Sequence, residues 1–397
     1  MAAPRKFDAV IIGAGAAGLM TAIEAAKRGR TVVVIDHAKA PAEKIRISGG
    51  GRCNFTHLDA AQKNYISANP NFCKSALKRF TPWDFLDRVI ARGIPYHHKA
   101  ENQLFCDNSA MDIIDMLLDD LKSHGGELWL QSPVSDLEKT PEGFRLSVPG
   151  AVIECQNLVL ATGGLSIPKM GATGFAYDVA RRFGHDIVPT RAGLVPFTLG
   201  GEKLQYIEGL SGVSLNARVR IGKKSFNDGF LFTHRGLSGP SILQISSYWT
   251  PGQAVEIDLR PDINVMETLK ERRRSTPRQH IANVLSEIVP KRLSDRILEA
   301  AILDGETRIA DLSDKKLMAI NTWLQPWSLI PDGSEGYRTA EVTVGGIDTQ
   351  HISSQTFESA LCPGLYVVGE ALDVTGWLGG YNFQWAWSSG WAAGQAI

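Results

Sequence analysis

The chain has 397 residues, of which 44% are apolar and 21% charged, and its 42 basic residues balance its 42 acidic ones. That length exceeds what one simple core supports and predicts two or three domains. A formal net charge of +0 excludes a global field steering the protein onto nucleic acid or an acidic membrane, so any basic surface must be local.

The N-terminal stretch carries the clearest pattern. Asp8 to Ile12 reads as a buried strand, and Gly13, Gly15 and Gly18 form a G-x-G-x-x-G turn. A small-residue helix follows to about Arg28, and Thr31 to Ile35 is a second apolar strand ending at Asp36. In such a unit the first glycine makes the tight turn and the second lets backbone N–H groups approach a pyrophosphate. The third lets the helix lie close on the sheet. The helix N-terminus offers unpaired donors and partial positive charge, and Asp36 is placed to accept hydrogen bonds from a ribose diol. Arg5 and Lys6 ahead of an apolar stretch imitate a signal peptide, but the patterned glycines and Glu24 identify a nucleotide-binding βα unit.

Ser48 to Asn54 (SGGGRCN) is too glycine-rich for helix or strand and reads as a loop bringing Gly50, Gly51, Arg52, Cys53 and Asn54 against the same ligand. Residues 70 to 92 read as helix and Ile94 to Asp107 as extended chain. Asn108-Ser109 caps a helix from Met111 to Ser123, and Leu128 to Leu130 is a strand. Phe144 to Val148 and Ala151 to Cys155 form a hairpin. Leu158 to Gly164 (LVLATGG) is an apolar parallel strand whose Ala161, Thr162 and Gly163 run back under a dinucleotide, and Gly171 to Arg182 is a short helix. From Thr190 to about Asp258 short strands with Gly and Pro punctuation predict a β-rich domain, in which His234 lies between a strand end and a Gly-rich turn. Residues 263 to 328 are rich in helix formers. A strand at Leu365 to Val368 precedes Gly369 and Glu370, and Gly379, Gly380, Tyr381 and Asn382 open a final helix. Its Phe383, Trp387 and Trp391 share one face at i, i+4, i+8 and read as core packing.

The five cysteines, Cys53, Cys73, Cys106, Cys155 and Cys362, include no C-x-x-C pair. They predict reduced thiols in a cytoplasmic setting, with neither a disulfide framework nor a metal site. No apolar run reaches membrane-spanning length.

A single G-x-G-x-x-G, followed by two later returns of the chain to the same site, suits FAD better than NAD. A helix N-terminus at Gly379 to Asn382 would stabilise the negative charge that reduction places on the N1–C2=O edge of the flavin ring. Glu370 would partner a ribityl hydroxyl or a structured water. The cofactor-binding set also takes in Ala16, Ala17, His37, Lys44 and Val134.

The runs IIGAGAAG, SGGGRCNFT, LVLATGG, LFTHRGLSGP, EGYRTAEVTVGG and GEALDVTGWLGGYNFQWAWSSG together resemble the two-dinucleotide-binding-domain flavoproteins. More narrowly they resemble the BaiN/YhiN type, also called the aminoacetone oxidase family, with QLFCD pointing to the YhiN branch. The resemblance implies an α/β fold with a split Rossmann-like FAD domain of the glutathione-reductase kind (1–190 and 339–397). It also implies a β-rich substrate domain (191–261 and 329–338) and a helical insertion (262–328).

For activity, the resemblance implies an FAD-dependent oxidoreductase. One reading, implied by resemblance to the YhiN branch, members of which have been linked to this reaction, is NAD(P)H-dependent reduction of uridine to dihydrouridine in large-subunit ribosomal RNA. The other is a small-molecule amine or ketone oxidase releasing hydrogen peroxide; a flavin-binding protein without turnover stands as a third. Reduction of uracil needs a proton donor, for which Cys106, Cys53 and His234 are the candidates. Arg272, Arg273, Arg274, Lys291 and Arg292 in the helical insertion are the candidate RNA contacts. With no second Rossmann unit, NAD(P)H would bind transiently at the flavin face.

Overall fold

The computed structural model describes residues 3–99 and 102–397. Strand β1 (Arg5–Ile12) turns through glycines into helix α1 (Ala16–Lys27), and β2 (Val32–Ile35) follows. Helix α1 is made of good helix formers with small side chains, which lets it sink between neighbours: its residues from Ala17 to Ala26 are buried. Next come β3 (Asn54–His57), β4 (Tyr96–Lys99) and β5 (Gln103–Cys106), an antiparallel sheet ordered β3-β5-β4. Strand β6 (Ala151–Leu160) and the last helix, α2 (Tyr381–Gly394), complete the elements that carry the site.

The chain divides into two compact units, Met1–Arg191 with Val342–Ile397, and Ala192–Glu341. In the first, β1 pairs in parallel with β2 and β6, the strand Glu127–Trp129 extends the β2 edge, and Leu365–Val367 lies on the far side of β6. All these strands run the same way, and their stretches 9–12, 32–35, 158–160 and 365–367 are apolar and buried, as a sheet covered on both faces requires. The first half of β6 also pairs with the hairpin strand Gly143–Val148, so the two segments read separately at Ala151 and Leu158 are one strand. Helix α2 packs on α1 through glycines: a Cβ at Gly390 would lie 2.5 Å from the Ala17 carbonyl oxygen, and one at Gly394 2.7 Å from that of Thr21. Buried Glu24 of α1 is satisfied by Arg88 at 2.7 Å, Lys27 at 3.3 Å and Gln395 at 2.8 Å.

The second unit is an antiparallel sheet built around Ser214–Ile221 and Lys224–Thr233, with the helices between Val265 and Asn321 sharing its core. Phe232 and Trp327 of the sheet belong to the same apolar cluster as Leu269, Ile281 and Leu317.

Two local expectations change. The helix read over 70 to 92 is two helices, Lys74–Arg79 and Pro82–Ala91, because Thr81 is held extended before Pro82 and caps the second helix through Asp84. The loop read over Ser48 to Asn54 ends one residue early, with Asn54 opening β3. It starts as the frayed end of Glu43–Gly51, whose Ser48, Gly49 and Gly50 leave helical geometry. The aromatic face of α2 packs as expected: Trp387 stacks on Phe85 with ring centroids 4.3 Å apart.

Candidate functional site

The glycine turn at the carboxyl end of β1 is built by close approach. Gly13 sits at φ +112, and a Cβ there would lie 2.5 Å from the Ala161 carbonyl oxygen at the end of β6. One at Gly18 would lie 2.0 Å from the Gly13 oxygen. No such neighbour stands within 4 Å of the Gly15 position. Gly15 is the N-cap of α1, with no side chain capping the helix and no acid in its first turn. Ala16 and Ala17 continue that turn, and Ala17 is buried against Gly369. Asp36 accepts from the Ala14 N–H at 2.7 Å and from the Ala38 N–H at 2.9 Å, so its first task is to hold the turn. His37 packs on Gly171, and Val134 follows a segment tied to β2 by the Ser132 N–H donating to the Asp36 oxygen at 2.8 Å.

Beside the turn, the ends of β6 and of Leu365–Val367 are tied by one polar network. Lys44 donates to Ser166 at 2.6 Å and to Glu370 at 2.7 Å, and the other Glu370 oxygen accepts from the Thr343 N–H at 2.9 Å. The Thr343 hydroxyl in turn accepts from the Leu165 N–H at 2.8 Å. Gly164 has room for no side chain, since a Cβ would lie 2.4 Å from Thr343 Oγ1. Ser166 and Thr343 carry no signal of their own in the sequence beyond standing next to the TGG and VGG pairs. Thr162 and Gly163, at φ +71, cross between this network and the glycine turn.

The third part is one face of the β3-β5-β4 sheet. Paired residues of an antiparallel sheet share a face, which places Asn54, Phe105 and His97 together, with Gln103 and Lys99 beside them. Gly49 abuts this face, where a Cβ would lie 2.8 Å from the Phe105 ring. So do Gly379 and Gly380, at 2.9 Å from the Gln103 amide and 2.5 Å from the Thr56 carbonyl carbon. With its amide turned over, Asn54 accepts from the Gly380 N–H at 3.3 Å. The loop Gly50-Gly51-Arg52 is open to one side, and no Cβ at either glycine would meet an atom within 4 Å. Asn382 is occupied in shaping the turn, bonding the Gly376 N–H at 2.8 Å and the Gly376 carbonyl at 3.0 Å. Tyr381 is buried, stacked on His57 at 4.3 Å. Helix α2 thus starts without a side-chain cap at the same sheet face as the Gly49 loop.

The candidate cysteines are placed otherwise than expected. Cys53 and Cys106 are both 0% exposed and face the core side of the sheet. Burial pushes the Cys106 thiol up to about 12 and raises that of Cys53 further. A proton donor must reach the reacting atom, and neither thiol does; both are packing residues. His234 belongs to the second unit and follows a strand end as read, at the exposed tip of the hairpin joining Lys224–Thr233 to Gly236–Ser238.

The basic helices are largely committed within the protein. Arg272 pairs with Glu287 at 2.6 Å, and Arg273 with Asp314 at 2.6 Å and with the Leu312 carbonyl at 2.8 Å. Arg292 donates to the Gly209 and Ser211 carbonyls at 3.1 and 3.2 Å. The expectation that all five cations face phosphate is corrected by these partners: Arg274, Lys291 and Arg292 are exposed without an acidic partner among the described residues, and of these Arg292 is held by the two carbonyls.

The residues present fit FAD. Two uncapped helix N-termini present partial positive charge to phosphate and to a reduced ring edge, and glycines stand wherever backbone must approach closely.

The family profile described as the HI0933-like protein Rossmann domain matches residues 7–396. The chain is 49% identical over 393 residues to a protein of Escherichia coli (strain K12) named ribosomal RNA dihydrouridine synthase, covering 99% of this chain and 98% of that one. The Haemophilus influenzae protein of the same name is 47% identical, covering 98% of each. A 3-dehydro-bile acid delta(4,6)-reductase of Clostridium scindens is 27% identical, covering 97% of this chain and 98% of that one. The glycine turn, the network at the strand ends and full-length similarity agree: the chain belongs to the HI0933-like Rossmann family, of the BaiN/YhiN type.

Proposed function

We propose that the protein is an FAD-dependent oxidoreductase that reduces a uridine of ribosomal RNA to dihydrouridine, with large-subunit RNA as the substrate and NAD(P)H as the electron source. The observation that carries this reading is the 49% identity, end to end, with a protein named for that reaction. The more distant relative named a delta(4,6)-reductase of a 3-dehydro substrate points the same way. Its name describes saturation of a C=C bond conjugated to a carbonyl, the same bond type as uracil C5=C6 conjugated to C4=O.

Bound FAD would supply hydride transfer. The protein's part is to hold the dinucleotide at Gly13–Gly18, Asp36 and Ala161–Gly163, and to place the ring between Gly50–Asn54 and Gly379–Asn382. Arg274 and Lys291 are the cations left to meet RNA phosphate. Because the sequence contains one dinucleotide fingerprint, NAD(P)H would bind only transiently at the flavin face.

The test is nucleoside mass analysis of unmodified ribosomal RNA incubated with the purified protein, FAD and NADH or NADPH. The expected result is conversion of uridine at one site to a nucleoside heavier by two hydrogens. Absence of that product together with substrate-linked peroxide from a small amine such as aminoacetone would replace this reading with the oxidase.

A further inference from the structure

With both cysteines enclosed in the core, the face of the β3-β5-β4 sheet has to be searched for the proton that uracil reduction requires. Two histidines lie near it. His57 is 4% exposed, its Nδ1 accepts from the Asp59 N–H at 3.1 Å, and burial beneath Tyr381 lowers its pKa, so it stays neutral and fixed. His97 differs in exposure and in its partner. Its side chain is 42% exposed, and its Nδ1 lies 2.7 Å from Oδ1 of Asp107, itself 42% exposed. The ring is braced from below by Phe105, near-parallel at 16° with centroids 5.9 Å apart. Phe105 in turn is the ring that Gly49 abuts. The same strand face thus carries His97 and both glycine segments assigned to the flavin ring, Gly49–Arg52 through Phe105 and Gly379–Gly380 through Gln103 and Asn54.

We propose that His97 is the catalytic acid of the reduction and that Asp107 is its positioning residue, with the uracil ring seated over the Asn54–Phe105–His97 face. This inference rests on the proposed function. An Nδ1 held by a carboxylate leaves Nε2 as the free end of the ring, the end from which an imidazolium can give a proton. Conjugation with C4=O makes C6 of uracil the carbon that accepts hydride and C5 the one that accepts a proton. The hydride, with its electron pair, comes from reduced flavin, which reduced pyridine nucleotide restores. The proton comes from His97: its Nε2–H bond breaks as the C5–H bond forms, and solvent reprotonates the ring.

The experiment uses the FAD-loaded protein and unmodified ribosomal RNA. His97→Gln is expected to lower kcat for dihydrouridine formation about 100-fold or more, while flavin absorbance shows unchanged FAD content and NADPH still bleaches the flavin under anaerobic conditions. His97→Ala is expected to recover activity when free imidazole is added, which a purely structural role for His97 would not allow. Asp107→Asn, which keeps a hydrogen-bonding group but removes the charge, is expected to lower kcat roughly 10-fold or more with KM unchanged, and Asp107→Glu to restore part of it. If wild-type protein makes dihydrouridine and His97→Gln makes it within threefold of that rate, the dyad is overturned and the proposed function stands. If wild-type protein makes none, the proposed function falls and takes the dyad with it.

Discussion

Gly15 and Gly18 stand three residues apart in one turn, yet the structure assigns them opposite kinds of constraint, and alanine at each separates the two. At Gly18 the added Cβ would lie 2.0 Å from the Gly13 carbonyl oxygen and 3.1 Å from the Ala161 Cβ. Both neighbours are fixed, one as backbone and one in the core, so α1 must move off the sheet by about an ångström. Overpacking of that kind costs about 1–3 kcal/mol, or roughly 2–10 °C in Tm for a unit of this size, before any ligand is added. At Gly15 nothing stands within 4 Å, and its φ of −83 is open to any residue. Replacing glycine by alanine at an N-cap costs about 0.5–1 kcal/mol, which the lower entropy of the unfolded alanine chain offsets by about 0.4–1 kcal/mol. The FAD-free Gly15→Ala protein should therefore melt within about 2 °C of wild type. Its FAD affinity should nevertheless fall at least about 10-fold, a loss near 1.4 kcal/mol, because the methyl group occupies the approach that the pyrophosphate needs. Scanning calorimetry of FAD-free protein and flavin-fluorescence titration measure the two quantities. A Gly15→Ala variant with wild-type FAD affinity would show that the phosphates do not lie on this turn and would refute the assignment of the cradle.

Three further outcomes are expected. Glu370→Gln removes a charged acceptor shared by Lys44, Ser166 and the Thr343 N–H and should cost about 1–3 kcal/mol in urea unfolding; an unchanged midpoint would mean the network contributes nothing to stability. Because burial raises the Cys106 thiol from about 9 to about 12, the unfolded chain ionises first, so stability should drain away as pH climbs through that window. Cys106→Ala should flatten the decline, and urea midpoints between pH 8 and pH 10 follow it. Arg274→Ala and Lys291→Ala should each reduce the salt slope of ribosomal RNA binding by about one, read by filter binding at several salt concentrations. Arg272→Ala and Arg273→Ala should leave that slope alone and lower the urea midpoint only slightly through their lost, solvent-exposed partners Glu287 and Asp314; a lower slope for Arg272→Ala would restore it to the RNA surface.

How far the site was legible varies by residue, and period explains it. QLFCD drew the reading to Cys106, whose thiol the fold buries. Alternation along β5 turns Cys106 into the core with Leu104, and leaves Phe105 on the opposite face, covered by Gly49, with Asp107 just past the strand end. A one-residue register is fixed by which face of the sheet gets covered, a tertiary fact. The arginine run was likewise read as charge on a surface. The acids that neutralise it, Glu287 and Asp314, lie 15 and 41 residues from their partners Arg272 and Arg273, beyond the reach of helix spacing.

By itself the sequence determined the βα unit at Gly13–Asp36, the apolar strand segment beginning at Leu158, the strand beginning at Leu365, and the start of the last helix at Gly379–Asn382. Each follows from local rules: glycine where backbone must approach backbone, apolar runs where both faces are covered, and no side chain where a helix end must stay open. Only the tertiary structure decided that β3, β4 and β5 form one sheet, that both glycine segments cover the face bearing Phe105, and that His97 meets Asp107 at its edge. Those relations join residues distant along the chain through packing and sheet register, and no local pattern encodes which distant strand will supply the neighbour.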